Sequence, residues 1–134
     1  MATMDEGTRR RLQAQFQQGA KMAATGNFDY ATEMFTACVV RDPGNLVYVS
    51  NFLGNLQKKY NNNKKGAKLA SMRIAGPKAA IKKSVMQKHW PEVIKSGVEV
   101  LKLNPWDTST LKDLAIACEN LNYDDSQLAF LRAA

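Results

Sequence analysis

Apolar residues spaced three and four apart recur along most of this chain, and turn-forming residues interrupt them at short intervals. One such run carries Leu12 and Phe16 and ends at Gly26, and the next run ends at Pro43. This spacing places apolar side chains on one face of a helix, whereas glycine and proline end helices. No segment of the sequence alternates strictly between apolar and polar residues, as a half-buried strand does. The sequence therefore predicts an all-α fold of short helices packed as antiparallel hairpins.

Side chains that cap helices stand before several of the predicted helices. They are Thr3, which forms a capping box with Glu6, then Asn27, Asn45, Asp107 or Thr108, and Asp124 or Asp125. In the centre of the chain, we expect a short fourth helix over residues 66–75, ended by Gly76. A fifth helix is expected to begin with Pro77 in its first turn, because proline is tolerated there.

The most specific pattern lies between residues 19 and 43. Its small, aromatic and turn-forming members are Gly19, Gly26, Phe28, Ala31, Phe35, Cys38 and Pro43. This segment resembles a tetratricopeptide repeat, a family whose unit of about 34 residues forms one helix hairpin. The resemblance implies a right-handed α-solenoid, in which small residues let paired helices approach closely and large residues fill the space between hairpins. An ordinary antiparallel helical bundle is the alternative.

The same register divides the chain into about four tetratricopeptide-like units within one domain. The third unit is degenerate, because Val93 and Gly97 stand where the family prefers alanine and an aromatic residue. The second unit is degenerate too, because its second helix is poor. Apolar Leu128 and Leu131 in the last helix have no polar helix behind them, so we expect either a chain cut from a longer one or a face that pairs with another chain. The expected bounds of the units are 5–44, 45–76, 77–106 and 107–134.

Positive charge is concentrated in the centre of the chain. The net charge is +7, and residues 57–95 hold eleven lysines and arginines against the single acidic residue Glu92. A surface of this kind can simply keep a protein soluble, dock an acidic peptide, or bind the phosphates of a nucleic acid. Nucleic acid is the less favoured of these partners, because base stacking needs exposed aromatics and only Tyr60 and Trp90 are nearby.

Peptide ligands of the tetratricopeptide family usually lie in a groove lined by the first helix of each unit, so the resemblance implies a similar groove here. Asn51 matches one member of the clamp with which chaperone-binding members hold two carboxylates. The other members of that clamp are missing, because Phe16 and Ala20 replace a lysine and an asparagine, and Ala75 and Ala79 replace two basic residues. Recognition of a chaperone's acidic C-terminus by that mechanism is not expected.

The predicted partner-binding residues are Asn51, Asn55 and Lys58, flanked by Lys78 and Lys82, which are four residues apart and share a helix face. They predict a non-enzymatic scaffold that binds an acidic, extended or helical segment of a protein partner. Two alternatives stay open: binding of RNA or another polyanion through the lysine-rich centre, and self-association through the terminal repeats.

Residue types that carry chemistry are sparse. His89 is the single histidine, and its spacing from the other residues suggests no catalytic triad. Cys38 and Cys118 lie among apolar neighbours and are expected to be buried free thiols, as in a reducing compartment. We therefore expect no catalytic residue, no metal site and no cofactor. Without a signal peptide or a long apolar segment, a cytoplasmic location and no membrane partner are expected.

Overall fold

The computed structural model of the protein describes residues 4–134, and every regular element in this range is an α-helix. This confirms the all-α prediction. The helices are α1 (Glu6–Ala24), α2 (Phe28–Arg41), α3 (Leu46–Lys59), α4 (Ala70–Arg73), α5 (Ala75–Met86), α6 (Trp90–Leu103), α7 (Thr108–Asn120) and α8 (Asp124–Ala133).

Three helices begin at the caps that the sequence predicts. Asn27, Asn45 and Asp107 precede α2, α3 and α7, and each side-chain oxygen accepts a hydrogen bond from the backbone N–H three residues later. The donor-to-acceptor distances are 3.2, 3.3 and 3.1 Å. Such a bond satisfies one of the N–H groups that have no partner within the helix.

Two other helix starts differ from the prediction. Asp5 caps α1, because its carboxylate accepts the backbone N–H three residues later at 2.8 Å. Thr3 of the predicted capping box lies outside the described residues. The predicted cap of α8 is wrong, because Tyr123 precedes this helix and makes no side-chain capping bond. Asp124 and Asp125 instead lie in the first turn, where the helix dipole favours negative charge.

The centre of the chain also departs from the prediction. The fourth helix is a single turn, and α5 already begins at Ala75, so that Gly76 lies inside α5 and does not end a helix. The expected helix over residues 66–75 fails in its first half because Gly66 and Leu69 have positive φ angles, which a right-handed α-helix does not contain. The preceding loop has positive φ angles too, at Asn61, Asn62 and Lys64.

The loop over residues 60–69 is docked on the C-terminal end of α6. The backbone N–H of Ala67 donates to the carbonyl of Leu103 at 2.8 Å, and the Tyr60 hydroxyl donates to the carbonyl of Lys102. Gly66 has a φ of +78°, and a Cβ at this position would overlap the Leu103 carbonyl oxygen. Only glycine combines this backbone angle with so close an approach.

One hydrophobic core runs through the helices. Apart from α3 and α4, consecutive helices pack against each other, and α1 also contacts α3, as α5 contacts α7. Contacts between α2 and α6, and between α3 and α8, join elements that are far apart in the sequence. The largest fully buried side chains include Phe35, Phe52, Ile81, Leu114 and Phe130. No helix between residues 4 and 134 is both long and apolar enough to cross a bilayer.

Two glycines allow close approach of neighbouring helices. A Cβ on Gly19 of α1 would lie 2.9 Å from Cε1 of Phe35, and a Cβ on Gly97 of α6 would lie 2.7 Å from Cδ2 of Leu114. The first contact joins a small residue and an aromatic of the repeat-like segment. At the second contact, Leu114 of α7 fills the space that a side chain at Gly97 would occupy.

The start of α8 is packed against the turn between α2 and α3. The Ser126 hydroxyl donates to the carbonyl of Pro43 at 2.7 Å, across 83 positions of the sequence. A Cβ on Gly44 would lie 2.8 Å from Cδ1 of Tyr123, so the aromatic ring is in close contact with this turn. The last helix is therefore fastened to the segment that leads into α3.

Candidate functional site

A groove lies between α1 and α3, and we refer to it as the α1–α3 groove. Its volume is about 310 Å³. Alanines of α1 form one wall and leave room beside the polar residues of α3. The lining residues are Ala20, Ala23, Ala24, Phe35, Ser50, Asn51, Gly54, Asn55 and Lys58. Three of the five predicted binding residues therefore come together here, namely Asn51, Asn55 and Lys58.

The groove continues along α3 into a second open pocket of about 610 Å³. Gly54 and Lys58 line both pockets, and Gly54 has open space where a side chain would stand. Sequence reasoning missed the other lining residues of this pocket, which are Phe28, Gln57, Asn61 and Asn62. Neither pocket is lined by an acidic residue.

Asn55 is almost fully buried, with 4% of its surface exposed. Its amide nitrogen donates to the carbonyl of Phe28 at 3.1 Å and to the hydroxyl of Thr32 at 2.8 Å. Because the Phe28 carbonyl can only accept a hydrogen bond, the nitrogen end of the Asn55 amide must face α2. The Oδ1 atom of Asn55 then has no hydrogen-bond partner. Within residues 4–134, it is the one buried side-chain polar atom that lacks such a partner. Leaving an acceptor unpaired costs about 1–3 kcal/mol.

Asn51 and Lys58 lie on the same face of α3 as Asn55, at spacings of four and three residues. Both are exposed. The amide nitrogen of Asn51 donates to the carbonyl of Val47 at 2.8 Å, which leaves its oxygen toward solvent. Among residues 4–134, no carboxylate lies within ion-pair distance of Lys58. This face of α3 thus offers acceptors and one positive charge.

Lys78 and Lys82 lie elsewhere, since neither lines the groove. Lys78 pairs with Asp107 at 3.1 Å, and Lys82 pairs with Asp113 at 2.7 Å. Both carboxylates are largely buried, so the two pairs fasten α5 to α7. The spacing of four residues correctly gives the two lysines a common face, but the partner carboxylates stand about thirty positions later in the sequence and no local pattern indicates them.

Asp107 is both the cap of α7 and the partner of Lys78. Burial would raise the pKa of its carboxyl, but hydrogen bonds from Thr110 and Lys78 more than offset this and lower the pKa. A carboxyl whose pKa is lowered by folding stabilises the fold above its unfolded pKa, and this stabilisation is lost as the pH falls through the folded pKa.

The Asp107→Asn variant separates the charge from the cap, because asparagine also caps helices well. We expect its free energy of unfolding at neutral pH to be about 1–2 kcal/mol below that of the wild type. This difference in unfolding free energy should shrink once the pH falls below 3.8, the ordinary pKa of an aspartic acid side chain. Urea unfolding followed by circular dichroism over a pH series measures it, with Asp124→Asn as the exposed control. A difference that is constant with pH would contradict the assignment.

The two cysteines are buried free thiols, as expected. Burial raises the pKa of Cys38 to about 11 and that of Cys118 to about 12. Both thiols are therefore protonated at neutral pH, whereas a reactive cysteine needs its thiolate form. His89 is exposed at the start of α6 and makes no side-chain capping bond. Within residues 4–134, no three histidine, cysteine or acidic side chains are grouped so that they could hold a metal ion.

The lysine-rich centre divides into paired and unpaired cations. Lys59 pairs with Asp29 at 3.0 Å, in addition to the two lysines that pair with α7. The Lys64 ammonium lies 5.6 Å from the ring centroid of Trp106, so one face of this aromatic is occupied. Between residues 57 and 90, seven exposed cations have no ion-pair partner in the described part of the chain, and they are Lys58, Lys64, Lys65, Lys68, Arg73, Lys83 and Lys88.

No protein-family model, no curated protein and no solved structure matches this chain. What the α1–α3 groove binds must therefore be inferred from the residues that line it. These residues supply amide oxygens, a lysine and an apolar wall, and this set suits non-covalent binding of a chain with negative charge.

Proposed function

We propose that this chain is a non-enzymatic interaction scaffold that binds an acidic segment of a partner protein in the α1–α3 groove. One observation carries the proposal. Asn51, Asn55 and Lys58 lie on one face of α3, along an open groove that contains a buried acceptor without a partner and no acidic residue. Groups of this kind meet the needs of a peptide backbone and a carboxylate.

The amide oxygens suit an extended peptide. A peptide N–H can donate to the exposed oxygen of Asn51, and a second one can reach Oδ1 of Asn55 when the groove adjusts around it. Oδ1 of Asn55 is already out of contact with water, so a hydrogen bond to it would need little further desolvation of the protein and would satisfy the unpaired acceptor. The Lys58 ammonium is placed to pair with an acidic side chain of the same peptide, which mainly speeds encounter and excludes wrong partners.

The apolar wall gives the groove its second element of selectivity. Ala20, Ala23 and Phe35 line the side opposite the polar residues. Small side chains leave room for an apolar residue of the ligand, and burying it contributes about 25 cal/mol per Å² of apolar surface. The preferred ligand is therefore acidic and carries at least one apolar side chain.

The finer architecture belongs to the same proposal. The repeat-like segment over residues 19–43 supports a tetratricopeptide-like hairpin of α1 and α2, the first of about four such units in a right-handed solenoid, whereas the contacts of α2 with α6 and of α3 with α8 depart from a regular stack. The contact of Gly19 with Phe35, and the packing of α1 on α3, are of the kind that stacked hairpins make. Two buried free thiols fit a reducing compartment such as the cytoplasm.

We expect Asn51→Ala and Lys58→Ala each to weaken binding about fivefold, because each removes one polar contact worth about 1 kcal/mol. The probes are fluorescein-labelled ten-residue peptides that share two leucines and differ in being acidic, neutral or basic, measured by fluorescence anisotropy. Matched controls are available. Asn120 makes the same bond to the carbonyl four residues earlier in α7, at 2.9 Å, and Lys95 is an exposed lysine of α6.

Filling the groove is an independent test. Gly54→Leu places a large side chain in the open space, so we expect it to abolish binding of the acidic peptide. Gly54→Ala should keep the fold and raise helix stability by about 1 kcal/mol, since the position is in mid-helix. Equal binding of all three peptide classes, or full binding by Gly54→Leu, would refute the groove as the site.

Two alternatives give different results in the same assays. An RNA-binding module would bind poly(U) with a steep dependence on salt, and the seven unpaired cations favour this candidate. The aromatics argue against it, because Lys64 covers Trp106 and the Tyr60 hydroxyl is already bonded to α6. Self-association through the exposed Leu128 and Leu131 of α8 would appear as a mass that rises with concentration in sedimentation equilibrium.

A further inference from the structure

The outward side of α4 and α5 carries a regular row of exposed residues with no partner in the described structure. Gly76, Ala79, Lys83 and Met86 of α5 follow one another at steps of three and four residues, and Met72 lies in the preceding single turn α4, before the interruption at Ile74; all five are exposed. We refer to these five residues as the α5 outer face. Its two methionines are 72% and 83% exposed, although methionine is usually buried. An apolar helix face left open in this way marks an interaction surface.

The opposite side of α5 is fully used by the fold. Ile81 is buried in the core, and Lys78 and Lys82 hold the carboxylates of α7. The outer face is thus the side that α6 and α7 do not cover. None of its residues lines the α1–α3 groove, so its role is independent of the function proposed above.

The residues of this face suit a helix as the occupant. Gly76 and Ala79 have little or no side chain, and a Cβ on Gly76 would meet nothing within 4 Å, so a partner backbone can approach closely. Met72 and Met86 lie at the two ends, where their flexible thioethers can adapt to a partner side chain. Within α5 the row from Gly76 to Met86 spans about 15 Å, which corresponds to about three turns of a partner helix. A flat lipid surface would gain little from the small residues at the centre.

The exposed charges on and beside this face indicate which kind of partner would bind it. Lys83 lies within the face, and Arg73 and Lys88 are exposed beside it. Within residues 4–134, none of these three cations has a carboxylate within 4 Å. The sequence holds no acidic residue at all from position 43 to position 91. The face is therefore apolar at Met72, Ala79 and Met86, and it is positive at Lys83 and at the neighbouring Arg73 and Lys88.

We propose that the α5 outer face docks an acidic amphipathic helix of a partner protein. The apolar stripe of that helix lies along Gly76 and Ala79 between the two methionines. Its acidic residues pair with Lys83, Arg73 and Lys88. The alternating small and large residues set the register of the two helices, whereas the charges exclude basic partners.

The probes for this surface are fluorescein-labelled helical peptides of about 18 residues. They carry glutamates on one face and leucine, isoleucine or phenylalanine at helical spacing on the other, and each is paired with a scrambled peptide of the same composition. We expect the amphipathic peptides to bind, and the Ala79→Glu and Lys83→Glu variants to bind them at least about tenfold more weakly. Lys95→Glu, which adds the same charge on α6, should leave the affinity unchanged.

Further measurements distinguish binding at the α5 outer face from binding at other surfaces. The helical and scrambled peptides are compared in the Gly54→Leu background, which closes the α1–α3 groove to acidic peptides, and Ala79→Glu should not affect binding in that groove. Circular dichroism confirms that each variant is folded. Equal binding of scrambled peptides, or no loss with Ala79→Glu, overturns the proposal. It is also overturned if phosphatidylserine vesicles or poly(U) bind in a manner that depends on Lys83 while the helical peptides do not bind.

Discussion

Replacing Gly66 by alanine is expected to lower the free energy of unfolding by about 2–4 kcal/mol. A residue with a side chain at a φ of +78° carries about 1 kcal/mol of backbone strain. The added methyl group would also overlap the carbonyl oxygen of Leu103 and lie 2.8 Å from Cα of Asn104. Backbone atoms cannot move aside as a side chain can, so the loop has to lift from α6, and overpacking of this kind costs a further 1–3 kcal/mol or so.

Gly26→Ala is the matched control for this substitution. Gly26 has a φ of +86°, but a Cβ there would meet nothing within 4 Å. Its substitution should therefore show the backbone strain alone, about 1 kcal/mol. Urea unfolding followed by circular dichroism gives both values. Equal losses at the two positions would mean that the contact of Gly66 with α6 adds nothing to stability.

Leu114→Ala should be at least as damaging, with a loss of about 3–4 kcal/mol. Leu114 is fully buried, and its Cδ2 is the atom closest to where a side chain at Gly97 would stand. Shortening a buried leucine removes transfer free energy and leaves a cavity, which together cost about 2–5 kcal/mol. Removing the Leu114 side chain should weaken the packing of α6 on α7 more than a substitution of an exposed residue would.

A second substitution at Gly97 tests this interpretation. Gly97→Ala alone should cost about 1–3 kcal/mol, because the new Cβ would lie 2.7 Å from Leu114. In the double variant with Leu114→Ala, the added methyl enters the cavity, so the combined loss should be about 1 kcal/mol smaller than the sum. Additive losses in the unfolding titrations would show that the two residues do not share this space.

Local sequence signals predicted the helices well, and long-range contacts explain where they failed. Asn27, Asn45 and Asp107 cap helices because the bond spans three residues and depends on little else. The loop over residues 60–69 could not be predicted in this way. Its shape depends on the end of α6, where the carbonyl of Leu103 accepts the N–H of Ala67 across 36 positions.

The candidate site shows the same division. The common face of Asn51, Asn55 and Lys58 follows from helical spacing, and the structure places all three along one groove. The burial of Asn55 does not follow from spacing, because it depends on Thr32 of another helix. The ion pair of Lys82 could not be predicted from local sequence either, because its partner Asp113 lies in α7.

The attachment of α8 to the turn between α2 and α3 has a thermodynamic consequence. Ser126 and Tyr123 hold the segment that leads into α3, and α8 packs on α3 itself. α3 also carries the polar residues of the groove. If a ligand in the groove binds more tightly when α8 is docked, then displacing α8 weakens that ligand by the same factor. The first and last parts of the chain thus meet at one helix, although they are far apart in the sequence.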